Sequence, residues 1–527
     1  MKIPERLKGE GLVEYAERLS ESYAKTCDPL VRKHKGQFFT PKEVSRFMAK
    51  LFEIRHGEFR LLDPGAGTGI LTAAFCDRIL KNTKAVDLTV DAYENDRNLL
   101  PVLETILKSC KSDLEARGHG LKYKVYEQDF ILRNERHFGQ ADLFGKGDQY
   151  VPYDFVISNP PYYKLNKDSP QSTVMKALVS GQPNIYSLFM ALSASMLGHG
   201  GEMVFITPRS FCSGLYYRKF REWFLRNLRL THVHIFESRK EIFDKDGILQ
   251  ENIIIKATKT KRPSDHESLI ISSSKNKNFT TLTKLSASYG SVVSFRNGDV
   301  FIRIPTTPLD VEVLHVIDGW PNTLKDLGLE ISTGPVVPFR ATQYLLPELT
   351  ERPRSTPLLW MHNMQGMRVV WPVKKNKKPS AIKVSDETSR LLLPVENYVL
   401  LKRFSSKEQK RRLYAAVLLQ SEFPRKAVGI ENHVNYIHKP NGNLSVDEAF
   451  GIAAILNTTV IDNYFRSLNG NTQVNATEIR SLPFPTIEDI RNIGKMVRKS
   501  ESRQSPPDLD GIVTKALKIN TQKIRIN

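Results

Sequence analysis

The sequence is poor in cysteine and has no long apolar run. Only four cysteines occur among 527 residues, and no two of them form a C-x-x-C pair. This scarcity argues against a disulfide framework and against zinc ribbons, because both need closely placed cysteines. No apolar stretch approaches the roughly 20 residues of a membrane-spanning helix, and the charged first ten residues lack the apolar core of a signal peptide. We therefore expect a cytoplasmic protein without membrane contact.

Acidic residues are outnumbered by basic ones. The chain has 77 Lys and Arg against 57 Asp and Glu, which gives a formal charge of +20 and a pI near 9.6. A protein this basic usually binds a polyanion, although a basic surface can also do no more than keep a protein soluble. The hydrophobic content of 40% is ordinary for a globular protein, and the length allows two or three domains.

A buried strand that ends in two prolines lies at 153–163 (YDFVISNPPYY). Its apolar run at 155–157 cannot continue past Pro160 and Pro161, because proline lacks the N–H donor of a sheet ladder. The turn presents the Asn159 amide, backbone carbonyls and the Tyr162 ring. At the carboxyl ends of parallel strands, this is where α/β proteins bind ligands.

This turn suits chemistry on an exocyclic amine of a nucleobase. Such an amine is a poor nucleophile because its lone pair is delocalised into the ring. The Asn159 side-chain oxygen and the Pro160 carbonyl can accept its N–H groups and free the lone pair, while Tyr162 stacks on the ring. The alternative is a Pro-Pro turn that only closes a strand.

A glycine-rich turn follows another predicted strand, at 59–62. Gly65, Gly67 and Gly69 form G-x-G-x-G before a predicted helix at 70–79, which makes a G-x-G-x-x-G nicotinamide site the weaker alternative. A second predicted strand, 86–93, ends at Glu94, where a carboxylate can accept ribose hydroxyls. We interpret Asp96 as a helix cap.

Together with GQFFTP at 36–41, these motifs resemble the gamma class of S-adenosylmethionine-dependent DNA amino-methyltransferases, the modification enzymes of bacterial restriction–modification systems. The resemblance spans about residues 30–260, and the length and layout are similar to those of enzymes of the PstI/BsuBI kind. It implies an α/β, Rossmann-like methyltransferase domain with S-adenosyl-L-methionine as cofactor and no metal. The implied cofactor-binding residues are Phe39, Thr40, Asp63, Gly65, Gly67, Gly69, Glu94, Asp129, Phe130 and Asn159.

The resemblance also implies a site for a flipped adenine. Its catalytic residues are Asn159, Pro160, Pro161 and Tyr162, with Phe243 as a second aromatic on the base, although a core role for Phe243 is nearly as plausible. GQFFTP closes over the methionine end of the cofactor, and Thr40 also predicts a capping box with Glu43. Asp129 is expected to bond the cofactor's adenine amine, with an N-cap role as the alternative.

Composition predicts the domain organisation. The catalytic domain covers 1–260, with a helical extension at 1–35, and a Lys-, Ser- and Asn-rich linker covers 261–280. A mixed α+β DNA-recognition domain at 281–490 and a basic helical tail at 491–527 follow.

Basic and amide residues of the second half are the predicted DNA contacts. Residues 374–412 contain twelve Lys or Arg and four Asp or Glu, which suits phosphate binding. Amide-rich turns near 432 and 471 suit contacts with base edges. The candidates are Lys374, Lys375, Lys377, Lys378, Lys402, Arg403, Arg411, Arg412, Asn432, His433, Asn471 and Gln473.

The expected enzyme is a monomeric, site-specific adenine-N6 methyltransferase of double-stranded DNA with a separate cognate restriction endonuclease. N4-cytosine methylation remains open, because both bases offer a conjugated amine. A glutamine or RNA methyltransferase would leave the long basic half without a role. A DNA-binding protein without catalysis would need neither the glycine turn nor Glu94.

Overall fold

The computed structural model describes residues 3–138, 151–237, 251–260, 267–277, 279–296, 298–373, 377–405, 409–470, 473–501 and 507–519. The chain divides into two compact units, Met1–Thr306 and Thr307–Asn527. Within the described residues, no helix is long and apolar enough to cross a membrane.

The first unit contains a large sheet and the helices that cover it. Its elements are α1 (Leu12–Thr26), α2 (Pro29–Lys35), α3 (Lys42–Lys50), β1 (Gly57–Pro64), α4 (Ile70–Ile79), β2 (Val86–Tyr93), α5 (Leu100–Glu115), β3 (Gly120–Tyr126), α6 (Phe130–Arg133), β4 (Tyr153–Ser158), α7 (Pro170–Val174), α8 (Ile185–Met196), β5 (Leu197–Pro208), α9 (Arg218–Asn227), β6 (Arg229–Phe236), β7 (Asn252–Thr258), β8 (Ser268–Ser274), β9 (Leu282–Ser288), α10 (Tyr289–Val292), β10 (Val293–Arg296) and β11 (Asp299–Ile302).

The strand order of the nine-stranded sheet is β3-β2-β1-β4-β5-β7-β6-β8-β9. The first five strands are parallel, and β7 pairs antiparallel with both β5 and β6. The chain order reverses between β1 and β4, so the carboxyl ends of these strands open the crevice that binds ligands in such sheets. The predicted Rossmann-like α/β fold is confirmed, and the predicted bounds of α4 and β2 match the structure.

The first unit extends past the predicted boundary at residue 260. Strand β8 pairs in parallel with β6, and β9 pairs antiparallel with β8, so both belong to the large sheet. The polar stretch that resembled a linker contains the whole of β8, whose Leu269 and Ile271 are buried. Sheet pairing with distant strands therefore outweighs local composition in placing this segment.

The second unit contains two further sheets and six helices among its described residues. Its elements are α11 (Pro308–Asp318), β12 (Glu330–Thr333), β13 (Leu345–Leu346), β14 (Ser355–Leu359), β15 (Met364–Gln365), β16 (Arg368–Val369), β17 (Ala381–Lys383), β18 (Leu392–Pro394), β19 (Tyr398–Lys402), β20 (Ala415–Leu418), β21 (Ala427–Ile430), β22 (Val434–His438), α12 (Val446–Leu456), α13 (Thr459–Leu468), α14 (Ala476–Arg480), α15 (Ile487–Glu501) and α16 (Leu509–Ala516).

The strands of this unit form a six-stranded sheet (β12-β22-β19-β20-β16-β15) and a five-stranded sheet (β13-β17-β14-β21-β18). The predicted mixed α+β character is confirmed. The predicted tail begins inside α15, whose Ile490, Ile493 and Val497 are buried. This helix is part of the unit rather than an extension, because it packs against α12.

Two buried histidines join β6 to β8 in the first unit. Both ring nitrogens of His234 lie against serine hydroxyls, at 2.8 Å from Ser272 and 3.1 Å from Ser274, and the ring packs on Phe47 at 4.6 Å. Burial lowers the pKa of His234 to about 3 and that of His232 to about 4, with Lys284 and Lys256 adding to the shift at His232. Both imidazoles are therefore neutral in the folded protein near pH 7.

This pair predicts a loss of stability in mild acid. The pKa of His234 is depressed from 6.5 on folding, so the unfolded chain binds the proton more tightly, and stability falls as pH drops below about 6.5. At pH 5 the cost from His234 alone is about 2 kcal/mol. We expect His234→Asn to flatten the pH dependence of the unfolding free energy between pH 6.5 and 4, measured by urea denaturation. The exposed His56→Asn is the control, and an equal slope in both variants would contradict the assignment.

Candidate active site

A cavity of about 470 Å³ lies at the carboxyl ends of β1, β2, β3 and β4. Its wall combines the segment before α3, the glycine turn, the ends of the strands and two side chains of α8. The lining residues are Lys35, Gly36, Gln37, Phe38, Phe39, Gly65, Gly67, Tyr93, Glu94, Asn95, Asp96, Leu99, Gln128, Asp129, Phe130, Asn159, Pro161, Tyr163, Ile185 and Phe189.

The glycine turn and Glu94 form one hydrogen-bonded unit. One Glu94 carboxylate oxygen accepts the Gly67 N–H at 2.9 Å, and the other accepts the Asp96 N–H at 2.7 Å. Glu94 is buried, and this burial raises its pKa, although the backbone donors oppose the shift. Gly67 has a φ of +58°, which glycine adopts without strain. The carboxylate is thus held at the cavity wall, with lone pairs left for ligand hydroxyls.

Asp63 lies behind the cavity wall rather than in it. The side chain is fully buried, and Thr72 donates its hydroxyl to one carboxylate oxygen at 2.7 Å. The other oxygen, Oδ1, is buried and has no hydrogen-bond partner among the residues that the structure describes. Burial, with the nearby Glu94 charge, raises the pKa of Asp63 to about 7. A cationic ligand group beside the turn would therefore stabilise the ionised form of Asp63.

Asp129 caps a helix and also lines the cavity. One oxygen accepts the Leu132 N–H at 2.9 Å at the start of α6, and the other accepts from the Gln171 side chain at 2.9 Å. The neighbouring Phe130 is buried between the rings of Tyr93 and Phe189, each 5.1 Å away. The structure therefore shows the N-cap role that was the alternative for Asp129. Because Asp129 also lines the cavity, its contact with the cofactor stays a prediction.

The orientation of the Asn159 amide is set by its neighbours. Its Nδ2 donates to the Phe38 carbonyl at 2.7 Å and lies 3.1 Å from the Thr40 hydroxyl oxygen. Both N–H groups are thereby directed into the segment before α3, and Oδ1 is left as the acceptor of the turn. The Tyr162 hydroxyl lies 2.6 Å from this Oδ1 and 2.8 Å from the Ile206 carbonyl. One lone pair of Oδ1 remains for a ligand N–H.

The ring of Tyr162 lies beside the cavity, packed among aromatic side chains. It stacks on Phe38 at 6.0 Å and meets the edge of Tyr186 at 6.2 Å. Burial raises the pKa of Tyr162 well above its ordinary value, so the hydroxyl keeps its proton and donates. Tyr163 rather than Tyr162 lines the cavity, and base stacking on Tyr162 stays a prediction. The other predicted aromatic, Phe243, lies outside the described residues.

The predicted capping box at Thr40 is wrong. The N-cap of α3 is Pro41, which has no side-chain hydrogen bond, and the Lys42 N–H is satisfied by Glu17 of α1 at 3.2 Å. The Thr40 hydroxyl instead accepts from Asn159, which local sequence could not show. Phe39 lies on the same segment, where it lines the cavity and packs edge-on against Tyr23 at 5.8 Å.

Asp96 has a larger role than the helix cap predicted for it. Helix α5 starts at Leu100 with Leu99 as its N-cap, so the cap prediction is wrong. One Asp96 oxygen instead binds Lys35 at 2.8 Å and Gln37 at 2.9 Å. This contact ties the end of β2 to the GQFFTP segment. The basic residues before GQFFTP were the only hint of this contact in the sequence. Their acidic partner could not be identified, because it lies about 60 positions further along the chain.

Three apolar cavity residues were also missed, Leu99, Ile185 and Phe189. The latter two lie in α8, which is buried along almost its whole length, and nothing in its sequence separates cavity side chains from core side chains. Phe189 lies opposite Gly65, where an added Cβ would come within 3.5 Å of its ring. Only the packing of α8 against the glycine turn identifies these residues.

Several predicted DNA contacts of the second unit meet at one end of its six-stranded sheet. Arg403 donates to the Asn432 carbonyl at 3.0 Å, the His433 ring packs edge-on against Phe404 at 4.9 Å, and Phe404 pairs with Gln473. His433 Nδ1 lies 2.5 Å from Glu431, whose burial raises its pKa. A polar, partly exposed edge thus forms from three separate parts of the unit.

The lysines predicted to contact DNA differ in environment. Lys377 and Lys378 are exposed, with the Lys378 ammonium 4.4 Å from the Trp360 ring. Lys402 lies 3.9 Å over the Tyr414 ring, and its burial lowers its pKa. Lys374, Lys375 and Asn471 lie outside the described residues.

The DNA-contact prediction for Arg412 is not supported, because the side chain is only 1% exposed. Its Nε donates to the Ser405 hydroxyl at 3.0 Å, and the guanidinium lies over the Phe465 ring. Arg411 binds the Asn457 carbonyl and lies 3.5 Å from Asp510. Arg412 therefore serves the internal packing of the unit, whereas the half-buried Arg411 keeps its DNA-contact role as a prediction.

The cavity fits S-adenosylmethionine, the methyl donor. The glycine turn leaves backbone exposed beside α4, Glu94 offers carboxylate lone pairs for a ribose, and the unpartnered Asp63 oxygen favours a nearby ammonium group. A nine-stranded sheet of this order, with such a cavity at the carboxyl ends of its strands, defines an S-adenosylmethionine-dependent methyltransferase with a Rossmann-like fold.

Comparison with known proteins narrows this class. The Eco57I restriction-modification methylase family model matches residues 80–243. The type II methyltransferase M.PstI of Providencia stuartii is 36% identical over 503 residues, covering 95% of this chain and 96% of that protein. M.BsuBI of Bacillus subtilis is 35% identical over 495 residues, covering 92% and 95%. The chain therefore belongs to the family of type II DNA methyltransferases of restriction–modification systems.

The solved structures that match this chain include a type I restriction-modification system methyltransferase subunit from Streptococcus thermophilus. It aligns with 58% of this chain and 57% of its own length, at 14% identity and a TM-score of 0.33.

Proposed function

We propose that this enzyme transfers a methyl group from S-adenosylmethionine to the N6 amine of an adenine flipped out of double-stranded DNA. The observation that carries the proposal is the fixed Asn159 amide, whose two N–H groups point to Phe38 and Thr40 and leave Oδ1 as an acceptor at the cavity. An acceptor in this position is what a conjugated amine needs before it can act as a nucleophile.

Different residues around the cavity would bind different parts of the two substrates. Glu94 would hold the ribose, the glycine turn would face the methionine part, and Asp63 would stabilise its ammonium group. Bound there, S-adenosylmethionine supplies an electrophilic methyl group on a sulfonium, which needs no metal. Asn159 Oδ1 and the Pro160 carbonyl would accept the two amine N–H groups, so that the nitrogen lone pair turns away from conjugation. Pro161 keeps this turn rigid.

The target base must leave the duplex to reach this turn. Unstacking costs a few kcal/mol, and stacking on an aromatic ring offsets about 1–3 kcal/mol of it. We assign this stacking to Tyr162 and to Phe243. The Tyr162 hydroxyl bond to Asn159 would then couple the position of the ring to that of the acceptor.

The second unit would supply DNA recognition. Its polar edge at Arg403, Asn432, His433 and Gln473 combines donors and acceptors that suit base edges, and the exposed lysines suit phosphates. We propose that the enzyme acts as a monomer. Its modification of host DNA would protect the recognition site from a separate cognate endonuclease.

The direct test is transfer of labelled methyl groups to unmethylated plasmid DNA, followed by nucleoside analysis. We expect N6-methyladenine as the product. N4-methylcytosine would keep the role of Asn159 and overturn the base assignment. Absence of label in DNA, with S-adenosylmethionine still bound in a calorimetric titration, would refute DNA as the substrate.

A further inference from the structure

Two exposed apolar side chains lie on a turn that packs against the active-site turn through Tyr217 and Tyr186. Leu215 is 54% exposed and Tyr216 is 56% exposed, on a short 3-10 turn that precedes α9. Single exposed apolar side chains are ordinary, whereas adjoining ones that form a patch mark interaction sites. The position of the pair, rather than its exposure alone, carries the inference.

The turn that bears this pair is firmly anchored. The third residue of the turn, Tyr217, stacks on Tyr186 at 5.6 Å, and Tyr186 meets the edge of Tyr162. From below, the fully buried Arg221 donates to the Gly214 carbonyl at 2.6 Å and to the Phe211 carbonyl at 2.9 Å. The backbone of the turn is therefore fixed while the tips of Leu215 and Tyr216 face solvent.

Tyr216 also contacts the loop at 164–184, which follows the active-site turn. The ends of this loop are closed by hydrogen bonds from the Leu165 N–H to the Pro183 carbonyl and from the Ile185 N–H to the Tyr163 carbonyl. Within it, the backbone at Gly181 approaches Tyr216 so closely that an added Cβ would lie 2.7 Å from the ring. Tyr216 is thus joined to the Asn-Pro-Pro-Tyr turn on two sides, through the loop and through Tyr217.

We propose that Leu215 and Tyr216 form a wedge that enters the DNA base stack beside the flipped nucleotide. The inference rests on the proposed function, because a flipped base leaves a gap and an unpaired partner in the duplex. Apolar side chains inserted between base steps offset the cost of unstacking in other DNA-binding proteins. The exposed Lys219, which follows on α9, offers a cation for the adjacent phosphate.

The wedge predicts a defect that depends on how firmly the target base is paired. The methylated position is first mapped on plasmid DNA, and three duplexes of that site are then made. In these, the target base faces its normal partner, a mismatched partner or an abasic position. We expect the double variant Leu215→Ala and Tyr216→Ala to lose about tenfold or more in single-turnover rate on the paired duplex.

On the mismatched and abasic duplexes, the same variant should return to within about threefold of the wild-type rate, because little pairing remains to be broken. S-adenosylmethionine affinity, measured by calorimetry, should be unchanged. Ile270→Ala, which removes an exposed apolar side chain from β8, is the matched control and should behave as wild type on all three duplexes.

Two results would overturn the wedge, namely a wild-type rate for the double variant on the paired duplex, or an equal loss on all three duplexes. If the double variant were unstable to heat, the single variant Tyr216→Leu, which keeps an apolar tip but removes the ring, would decide in the same assay. Failure of the proposed function is separable, because it would appear as an absence of methyl transfer by the wild-type enzyme.

Discussion

Replacing Asn159 by alanine is expected to lower the methyl-transfer rate by about 10²–10³-fold while DNA binding is retained. The substitution removes the Oδ1 acceptor that the structure directs to the cavity, and the target amine then keeps its lone pair in the ring. Single-turnover transfer from labelled S-adenosylmethionine measures the effect, and a gel-shift titration with the same DNA measures binding.

A control is needed because Asn159 also holds the segment before α3. Thr40→Val removes the hydroxyl that Nδ2 approaches at 3.1 Å but leaves the 2.7 Å bond to the Phe38 carbonyl. We expect this variant to lose less than about tenfold in rate, since one hydrogen bond contributes about 1 kcal/mol. Near-normal turnover by Asn159→Ala would refute the acceptor role, and equal losses in both variants would assign the effect to the anchored segment.

Replacing Gly36 by alanine is expected to lower kcat/KM by about 100-fold or more, because a displacement near 1 Å at a reacting centre has effects of this size. A Cβ on Gly36 would lie 2.7 Å from the Tyr162 backbone nitrogen. No side-chain rotation relieves this contact, since the opposing atom belongs to the backbone of the Asn-Pro-Pro-Tyr turn. Either GQFFTP or the turn must shift, and both border the cavity.

Gly118→Ala separates this clash from backbone strain. Gly118 has a φ of +78°, close to the +63° of Gly36, but a Cβ there would meet no atom of the described residues within 4 Å. Both variants carry a similar strain of about 1–2 kcal/mol in the left-handed region. Steady-state kinetics should therefore show a loss only for Gly36→Ala, whose melting temperature should also fall further, because it adds the clash to the strain that both variants share. A comparable kcat/KM in the two variants would show that the Gly36 contact is unimportant for catalysis.

The sequence by itself determined the local features of the catalytic unit. Two prolines end β4 wherever the strand lies, and the glycine turn joins β1 to α4 through backbone angles that other residues avoid. The predicted bounds of α4 and β2 agree with the structure for the same reason. Sterics between neighbouring residues do not depend on the rest of the chain.

Charge and motif order also indicated a DNA-modifying enzyme, and the similarity to M.PstI and M.BsuBI confirms that family. They did not show which basic residues face solvent. Arg412 is buried against Ser405 and Phe465, whereas Lys378 is exposed, although both lie in the same basic stretch.

Only the tertiary structure decided how the site is held together. Asn159 donates to a carbonyl 121 positions away, and Asp96 binds Lys35 across 61 positions. It also decided that β8 and β9 extend the first unit, since β8 pairs with the distant strand β6 and β9 pairs with β8. A local pattern constrains φ, ψ and burial, but the partner of a buried donor depends on which distant segments the sheet brings to one edge.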